Sequence, residues 1–205
     1  MPSEALAEEG CHSAMNIECP ASMRRHVQKV LGGEYDLPYR HSAPVILGIG
    51  ANVGSLAAWA LKRWPGCYVR CYEPLPDNFA LLKRNLGQFE GRSVSLHNFA
   101  VGDPSLTRLY LGRNNCGEAS FYDIGEQTTD TVEVETRAPS VLPKAQIVKI
   151  DTEGSEVIFS PAWRRSISTR SCSNISPRPT GERLTRCCRI TCSPAATSAT
   201  RTVER

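Results

Sequence analysis

Glycines and acidic side chains follow short apolar runs at several points of this chain, and these residue types can bind a nucleotide-like ligand. Gly48, Gly50 and Gly54 belong to the segment VILGIGANVG at 45–54, and a helical pattern follows it. A buried strand that leads through a glycine-rich turn into a helix brings backbone N–H groups and the positive end of a helix dipole to one point. Glu73 and Asp151 each follow another apolar run. The pattern predicts a ligand site around this turn.

The spacing of these glycines distinguishes two cofactor classes. Dinucleotide-binding turns have the pattern G-x-G-x-x-G, whereas Gly48, Gly50 and Gly54 give G-x-G-x-x-x-G with Asn52 inside the turn. This spacing disfavours hydride transfer and suits S-adenosylmethionine, with the methionine end of that cofactor against the turn. An acid after the second strand then accepts hydrogen bonds from the ribose hydroxyls, and Glu73 has that position. The alternative for Glu73 is a solvated carboxylate at a strand end.

The elements that must position these residues are indicated by hydrophobic periodicity. Apolar runs predict strands at 45–49, 67–72, 93–100 and 146–150, and helical spacing predicts helices at 21–31, at 55–64 and, with Asp77 as N-cap, up to residue 86. Alternation at 106–111 and 131–136 predicts an inserted β-hairpin. Strands that alternate with helices predict an α/β fold with a parallel sheet. Because ligands bind at the carboxyl ends of such strands, we expect Gly50, Glu73, Asn98 and Asp151 along one edge.

Composition divides the chain into a mildly acidic body and a basic tail. The length of 205 residues fits one domain. The net charge is +3, but residues 159–205 contain nine arginines and only two acids, which leaves −4 for residues 1–158. Periodicity disappears after Glu156, and most of 160–205 is Ser, Thr, Arg, Pro or Cys with no legible strand or helix. We predict that this tail is disordered or is the product of a shifted reading frame.

The composition also disfavours several functions. No run of about 18 apolar residues is present, so no membrane span is predicted. The acidic N-terminus lacks the apolar core of a signal peptide, so a cytoplasmic protein with reduced cysteines is expected. The tail cysteines lack paired C-x₂-C spacing, which predicts no metal site. The tail arginines have no interleaved aromatic residues, which predicts no nucleic-acid binding. The sequence carries no signature of an oligomeric state.

Five segments resemble successive motifs of the FkbM-type methyltransferase family. They are GIGANVG, CYEPLPDNFALLKRNL, FAVGD, NNCGEAS and VKIDTEGSE. The resemblance covers roughly residues 45–156, and KIDTEGSE is its most specific part. It implies a Rossmann-like, doubly wound and mostly parallel sheet of the class I methyltransferase type, incomplete after the fourth core strand. The expected segments are a leader with a short helical extension at 1–44, a partial methyltransferase domain at 45–159 and the tail at 160–205.

The resemblance also implies an activity and roles for individual residues. The implied reaction is S-adenosylmethionine-dependent O-methylation of a hydroxyl on a carbohydrate or natural-product acceptor. Asp151 and Glu153 become the catalytic candidates, with Asp151 as a base or an orienting group. The family usually has an acidic residue at the position of Gly48. The cofactor-binding residues carried over by position are Gly48, Gly50, Ala51, Asn52, Gly54, Glu73, Asn98 and Ala100.

Some alternatives remain open from the sequence. An incomplete sheet is also typical of a truncated, inactive remnant that at most binds the cofactor. The β-α-β-α beginning is shared with nicotinamide-dependent oxidoreductases, which form a third class. Glu153 and Glu156 have a second interpretation as acids near the start of a following helix. Tyr35, ahead of the first strand, either lines the site or packs at the surface.

Overall fold

A parallel β-sheet forms the centre of the fold, and three α-helices pack against one of its faces. The computed structural model describes residues 15–36, 42–112, 119–123, 125, 128–152 and the backbone of 189–192. The helices are α1 (Arg24–Leu31), α2 (Ser55–Arg63) and α3 (Pro76–Leu86). The strands are β1 (Val45–Ile49), β2 (Tyr68–Tyr72), β3 (Val94–His97), β4 (Ala100–Val101), β5 (Arg108–Gly112), β6 (Ala119–Ser120), β7 (Thr128–Glu133), β8 (Thr136–Arg137), β9 (Ile147–Ile150) and β10 (Arg189–Cys192).

The central strand β1 is buried on both faces of the main sheet. The strand order of this sheet is β10-β9-β1-β2-β3, and only β10 runs antiparallel to its neighbour. Ile46 packs with the helices, whereas Leu47 and Ile49 pack on the opposite face. Burial on both faces explains the near-continuous apolar run of this strand. The predicted α/β fold with a mostly parallel sheet is confirmed.

Helices α2 and α3 connect the parallel strands and carry the turns at the strand ends. The helix α3 buries Leu82 and Leu86 completely against the core. It begins at Pro76, where the missing N–H is not needed by the helix and the fixed φ angle suits the first turn. The prediction that Asp77 is the N-cap is therefore wrong, since Asp77 lies in the first turn. No helix within the described ranges is long and apolar enough to cross a membrane.

A smaller antiparallel sheet is inserted between β4 and β8. Strand β5 pairs antiparallel with both β6 and β7, while β4 and β8 pair in parallel beside them. Leu109 and Phe121 of this insertion pack with Leu75 and Ala100 near the ends of the main strands. The inserted hairpin agrees with the prediction, although its strands lie at 108–112 and 128–133.

Two predicted boundaries differ from the structure. The strand predicted at 93–100 is interrupted at residues 98–99, between β3 and β4. The interruption frees the Asn98 side chain to bind backbone carbonyl groups after β2. The sequence predicts no strand in 160–205, yet β10 lies antiparallel to β9. Its sequence RITC contains two β-branched residues, which favour extended backbone.

The segment that precedes α1 packs against α3 and the glycine turn. Ile17 is buried, and the backbone of Glu18 exchanges two hydrogen bonds with the Asn85 side chain, at 2.8 and 2.9 Å. The Nδ2 atom of Asn85 also donates to the carbonyl oxygen of Val53, at 2.8 Å. Residues 15–20 therefore differ from the frayed leader that the sequence predicts, because Asn85 ties them to the turn.

Candidate active site

A cleft lies at the carboxyl ends of β1, β2 and β9, beside the inserted sheet and the N-terminal helical segment. The cleft lies at the edge where the strand-end rule predicts a ligand site. Of the residues predicted at the site, those that line the cleft are Gly50, Ala51, Asn52, Glu73, Ala100 and Asp151. The lining also includes side chains that the prediction did not contain, among them His26, Asn78, Phe99, Phe121 and Lys149.

The glycine turn is fixed between the ends of β2 and β9. Gly50 has a φ of +74°, and a Cβ atom there would lie 1.9 Å from the carbonyl oxygen of Asp151. Only glycine permits this approach of two backbones. The N–H groups of Gly50 and Ala51 both donate to the carbonyl oxygen of Tyr72, at 3.0 and 2.9 Å. Asn52 continues the turn with a φ of 51°. The turn is thus pre-formed by backbone contacts.

Gly54 lies at the end of this turn, packs against α3 and does not line the cleft. Its φ is +93°, and a Cβ atom would lie 2.8 Å from the Cδ1 atoms of both Leu82 and Leu86. The absence of a side chain lets α3 pack directly against the start of α2. Gly54 therefore has a packing role in this structure, and its cofactor contact stays a prediction.

Gly48 also lies outside the cleft lining, inside strand β1. It is in register with Cys71 of β2 on one side and with Lys149 of β9 on the other. A Cβ atom at this position would make ordinary contact with Leu56, at 3.4 Å. Gly48 thus leaves space beside Lys149, and no direct cofactor contact is supported for it.

The Glu73 carboxylate is buried next to the glycine turn, and the residue is only 4% exposed. Its Oε2 atom accepts a hydrogen bond from the N–H of Asn52 at 2.7 Å, and its Oε1 atom accepts one from the N–H of Leu75 at 3.0 Å. The Asn78 side chain donates a third. A carboxylate has about four acceptor positions. The protein therefore uses most of them, which leaves room for about one ribose hydroxyl instead of two.

The surroundings of Glu73 have opposite effects on its protonation. Burial raises the pKa of Glu73, while the hydrogen bonds from Asn52, Leu75 and Asn78 and the charge of Lys149 lower it. Burial is the largest of these influences, so the pKa of Glu73 lies above its ordinary value. The interpretation of Glu73 as a solvated strand-end carboxylate is excluded by this burial.

Asn98 positions the chain that follows β2. Its Nδ2 atom donates to the carbonyl oxygens of Glu73 and Pro74, at 2.8 and 3.1 Å. Asn98 itself is exposed and does not line the cleft, whereas Ala100 is buried and does. Asn98 and Ala100 are both predicted to lie beside the adenine of the cofactor. Only Ala100 has a position in the cleft that is compatible with this prediction.

A buried ion pair lies at the end of β9. The Nζ atom of Lys149 is 3.1 Å from Oδ2 of Asp151, and the two side chains are 7% and 15% exposed. The same Nζ atom donates to the carbonyl oxygen of Gly50 at 2.9 Å. Lys149 is not among the site residues predicted from the sequence, although a lysine inside the otherwise apolar run IVKI is a signal for a buried cation. Asp151 and the glycine turn are joined through it.

Some predicted residues cannot be placed at the site. Glu153 and Glu156 lie outside the described residues. Tyr35 is buried, meets Trp59 edge to face at 6.2 Å and lines the cleft, so it does not pack at the surface, and its role in the site stays a prediction. Within the described ranges, no cluster of three or more His, Cys, Asp or Glu side chains has the arrangement of a metal site.

The chain matches one protein family and no curated protein. A family profile described as "Methyltransferase FkbM domain" matches residues 48–159, which is more than half of the chain.

Several solved structures match part of this chain. Methyltransferase FkbM from Methylobacillus flagellatus KT is 18% identical with a TM-score of 0.45, over 74% of this chain and 35% of that one. A putative RNA methyltransferase from Pyrococcus horikoshii is 16% identical with a TM-score of 0.34, over 75% of this chain and 70% of that one. TYW2 from M. jannaschii, solved in complex with AdoMet, is 13% identical with a TM-score of 0.29, over 40% and 35%. The chain thus spans about 35% of the length of the FkbM structure.

Proposed function

This chain belongs to the FkbM methyltransferase family, and from that premise we propose that it binds S-adenosylmethionine in the cleft and methylates a hydroxyl oxygen of a carbohydrate or natural-product acceptor. The observation that carries the proposal is the convergence of Glu73 and Asp151 on the glycine turn. Glu73 binds the N–H of Asn52 from one side, and the Asp151 backbone meets Gly50 from the other.

The charges of the cleft suit this cofactor. Glu73, Asp151 and Lys149 together carry a formal charge of −1, and all three line the cleft. The methionine end of S-adenosylmethionine carries a sulfonium and an ammonium group against one carboxylate. Since electrostatic attraction is strong in a partly buried site, a net negative cleft favours a net positive ligand.

A buried acceptor without a partner gives a second test of fit. The Oδ1 atom of Asn52 is inaccessible to solvent and has no hydrogen-bond partner. Buried polar atoms are normally satisfied, and an unsatisfied one costs about 1–3 kcal/mol. An N–H or O–H donor of a ligand at the glycine turn would satisfy Asn52. The donor and acceptor set of the turn therefore fits the cofactor.

The side chains of this cleft provide the positioning that methyl transfer requires. S-adenosylmethionine supplies a methyl group that its sulfonium makes electrophilic. Asp151 lies at the edge of the cleft, where its carboxylate can orient an acceptor hydroxyl or accept its proton. Placement of the acceptor oxygen at about 3–3.5 Å from the methyl group supplies most of the rate acceleration in such a reaction.

The apolar part of the cleft lining supports the proposed class of acceptor. Phe99, Leu109 and Phe121 are buried and line the cleft beside Ala100. Aromatic and aliphatic side chains contact the apolar faces of a ring-shaped molecule and exclude water. The Asp151 carboxylate then fixes the orientation of an acceptor hydroxyl. This combination suits a hydroxylated ring, as in a sugar or a polyketide-type natural product.

Calorimetric titration tests the cofactor assignment. We expect S-adenosylmethionine and S-adenosylhomocysteine to bind and the nicotinamide cofactors to give no heat. Absence of heat with every ligand would instead support an inactive remnant, and preferential nicotinamide binding would support an oxidoreductase.

Transfer of a labelled methyl group to a panel of glycans and hydroxylated natural products tests the acceptor. With the accepted substrate, we expect Asp151→Asn to reduce the rate by about 10²- to 10⁴-fold if Asp151 is the base. A rate reduced less than tenfold would limit Asp151 to an orienting role.

A further inference from the structure

We propose that Lys149 is a positioning residue that joins the glycine turn to the end of β9 and thereby pre-organises the candidate site. The proposal concerns the architecture of the cleft, and it goes beyond the cofactor and acceptor assigned under the proposed function. It rests on two contacts of one ammonium group, with the Gly50 carbonyl and the Asp151 carboxylate.

The position of Lys149 in the sheet is unusual for a lysine. It lies in β9 between Val148 and Ile150, and it is only 5% exposed. Lysine is almost never fully buried unless its charge is paired. The neighbouring β1 strand has Gly48 in register with Lys149, so no side chain of β1 stands beside it. The sheet therefore contains a space in which this side chain reaches the turn.

The two contacts connect parts of the site that come from different strands. Gly50 follows β1, and Asp151 follows β9. The carbonyl oxygen of Asp151 already lies so close to Gly50 that a Cβ atom would not fit. The ammonium group adds a hydrogen bond to the Gly50 carbonyl oxygen at 2.9 Å on one side of this junction and an ion pair with Asp151 at 3.1 Å on the other. Charge-assisted hydrogen bonds are about twice as strong as neutral ones.

The charge of Lys149 also affects Glu73. It lowers the pKa of Glu73 against the larger effect of burial. One cation therefore faces both carboxylates of the site and partly neutralises their mutual repulsion. Loss of this cation would remove its attraction for the buried Glu73 carboxylate and the partly buried Asp151 carboxylate, which favours their movement toward solvent.

Amide hydrogen exchange in the ligand-free protein tests the proposal. Lys149→Met removes the ammonium group and keeps a side chain of similar length. We expect the amides of Gly50, Ala51 and Asp151 to exchange about tenfold faster than in the parent, which corresponds to a coupling within the usual range for contacting residues. These amides are informative because each donates a backbone hydrogen bond, to Tyr72 or to Ile49.

A matched variant separates positioning from general destabilisation. Val148→Ala changes the adjacent residue of β9, whose side chain is fully buried on the opposite face of the sheet. It lowers the thermal stability without removing a charge from the site. The two variants are compared at equal overall stability. The proposal would be overturned if the three amides exchanged no faster in Lys149→Met than in Val148→Ala.

Affinity for S-adenosylhomocysteine gives a second, independent measurement. We expect Lys149→Met to bind S-adenosylhomocysteine about tenfold more weakly than the parent, and Val148→Ala to bind it nearly as well as the parent. Lys149→Arg retains the positive charge, so its affinity should lie between those of Lys149→Met and the parent. Equal affinities of parent and Lys149→Met would also overturn the positioning role. If the parent itself binds no S-adenosylhomocysteine, the proposed function fails, while the exchange measurement still decides the role of Lys149.

Discussion

The Oε2 atom of Glu73 accepts the backbone N–H of Asn52 at 2.7 Å, so the acid that follows β2 holds the glycine turn that follows β1. The sequence assigns Glu73 to the cofactor ribose, and the structure shows that its first partners belong to the protein. The two roles are compatible, because a carboxylate has about four acceptor positions and the protein occupies three. Glu73 therefore shapes the turn before any ligand is bound.

The buried carboxylate of Glu73 makes stability depend on pH. Since its pKa in the folded state lies above the ordinary value of 4.5, the folded state binds this proton more tightly than the unfolded state. The contribution of Glu73 to the free energy of unfolding is therefore greatest below that value and is lost as the pH rises through the folded-state pKa. We expect the parent to lose stability relative to Glu73→Gln as the pH rises above the ordinary value of 4.5 and through the raised folded-state pKa of Glu73, as measured by urea denaturation.

The control for this prediction is Glu90→Gln, at an exposed carboxylate that directly follows a short 3₁₀ helix, Gly87–Phe89. It should show no comparable trend relative to the parent. A stability difference between parent and Glu73→Gln that is constant with pH, or that grows in favour of the parent, would contradict the raised pKa.

The packing of α3 against the glycine turn predicts a large effect for a single methyl group. Gly54→Ala places a Cβ atom 2.8 Å from Leu82 and Leu86 at a φ of +93°. We expect it to lower the free energy of unfolding by about 1–3 kcal/mol, measured by denaturant titration. Gly87→Ala is the matched control, because Gly87 has a helical φ of −55° and a Cβ atom there meets nothing within 4 Å. That control should be neutral or stabilising by about 0.4–1 kcal/mol.

Much of the fold follows from local patterns in the sequence. The apolar run of β1 and the helical spacing of Leu82 and Leu86 are fixed by burial, and both predictions agree with the structure. The starting point of α3 was less predictable, because Asp77 is a good N-cap by type and Pro76 is equally good at N1. Strand β10 was missed because its four residues carry no long pattern.

The site was only partly predictable for a different reason. Gly50, Glu73 and Asp151 could be placed from the rule that ligands bind at the carboxyl ends of parallel strands. The partners of these residues depend on which strands are neighbours and on their register. Lys149 is the clearest case, because its contact with Gly50 joins residues 99 positions apart. No local pattern contains that information.

The amide of Asn98 should control the geometry after β2. Asn98→Ala removes two hydrogen bonds to the carbonyl oxygens of Glu73 and Pro74. We expect a loss of about 1 kcal/mol in the free energy of unfolding, because Asn98 is exposed and water partly replaces it. We also expect weaker binding of S-adenosylhomocysteine, since the Glu73 backbone shifts. Gln88→Ala, at another exposed amide, is the control and should change neither measurement.

The neighbourhood of Gly48 predicts a gain in cofactor affinity from one substitution. The family that this chain resembles usually has an acid at this position, and Lys149 lies in register with it on β9. A Cβ atom at Gly48 fits, with Leu56 at 3.4 Å. Gly48→Asp would therefore place a carboxylate beside the buried ammonium group, which offsets the cost of burying it.

We expect Gly48→Asp to bind S-adenosylmethionine about tenfold more tightly than the parent, because the added negative charge beside the cleft attracts a net positive ligand, and tenfold corresponds to about 1.4 kcal/mol. Calorimetric titration measures the change. Gly48→Ala fills the same space without charge and should bind like the parent. The gain should disappear in Gly48→Asp combined with Lys149→Met, because the new carboxylate then lacks its cation. A gain that persists in this double variant would show that the acid acts without Lys149, and equal affinities of Gly48→Asp and Gly48→Ala would exclude a role for charge at this position.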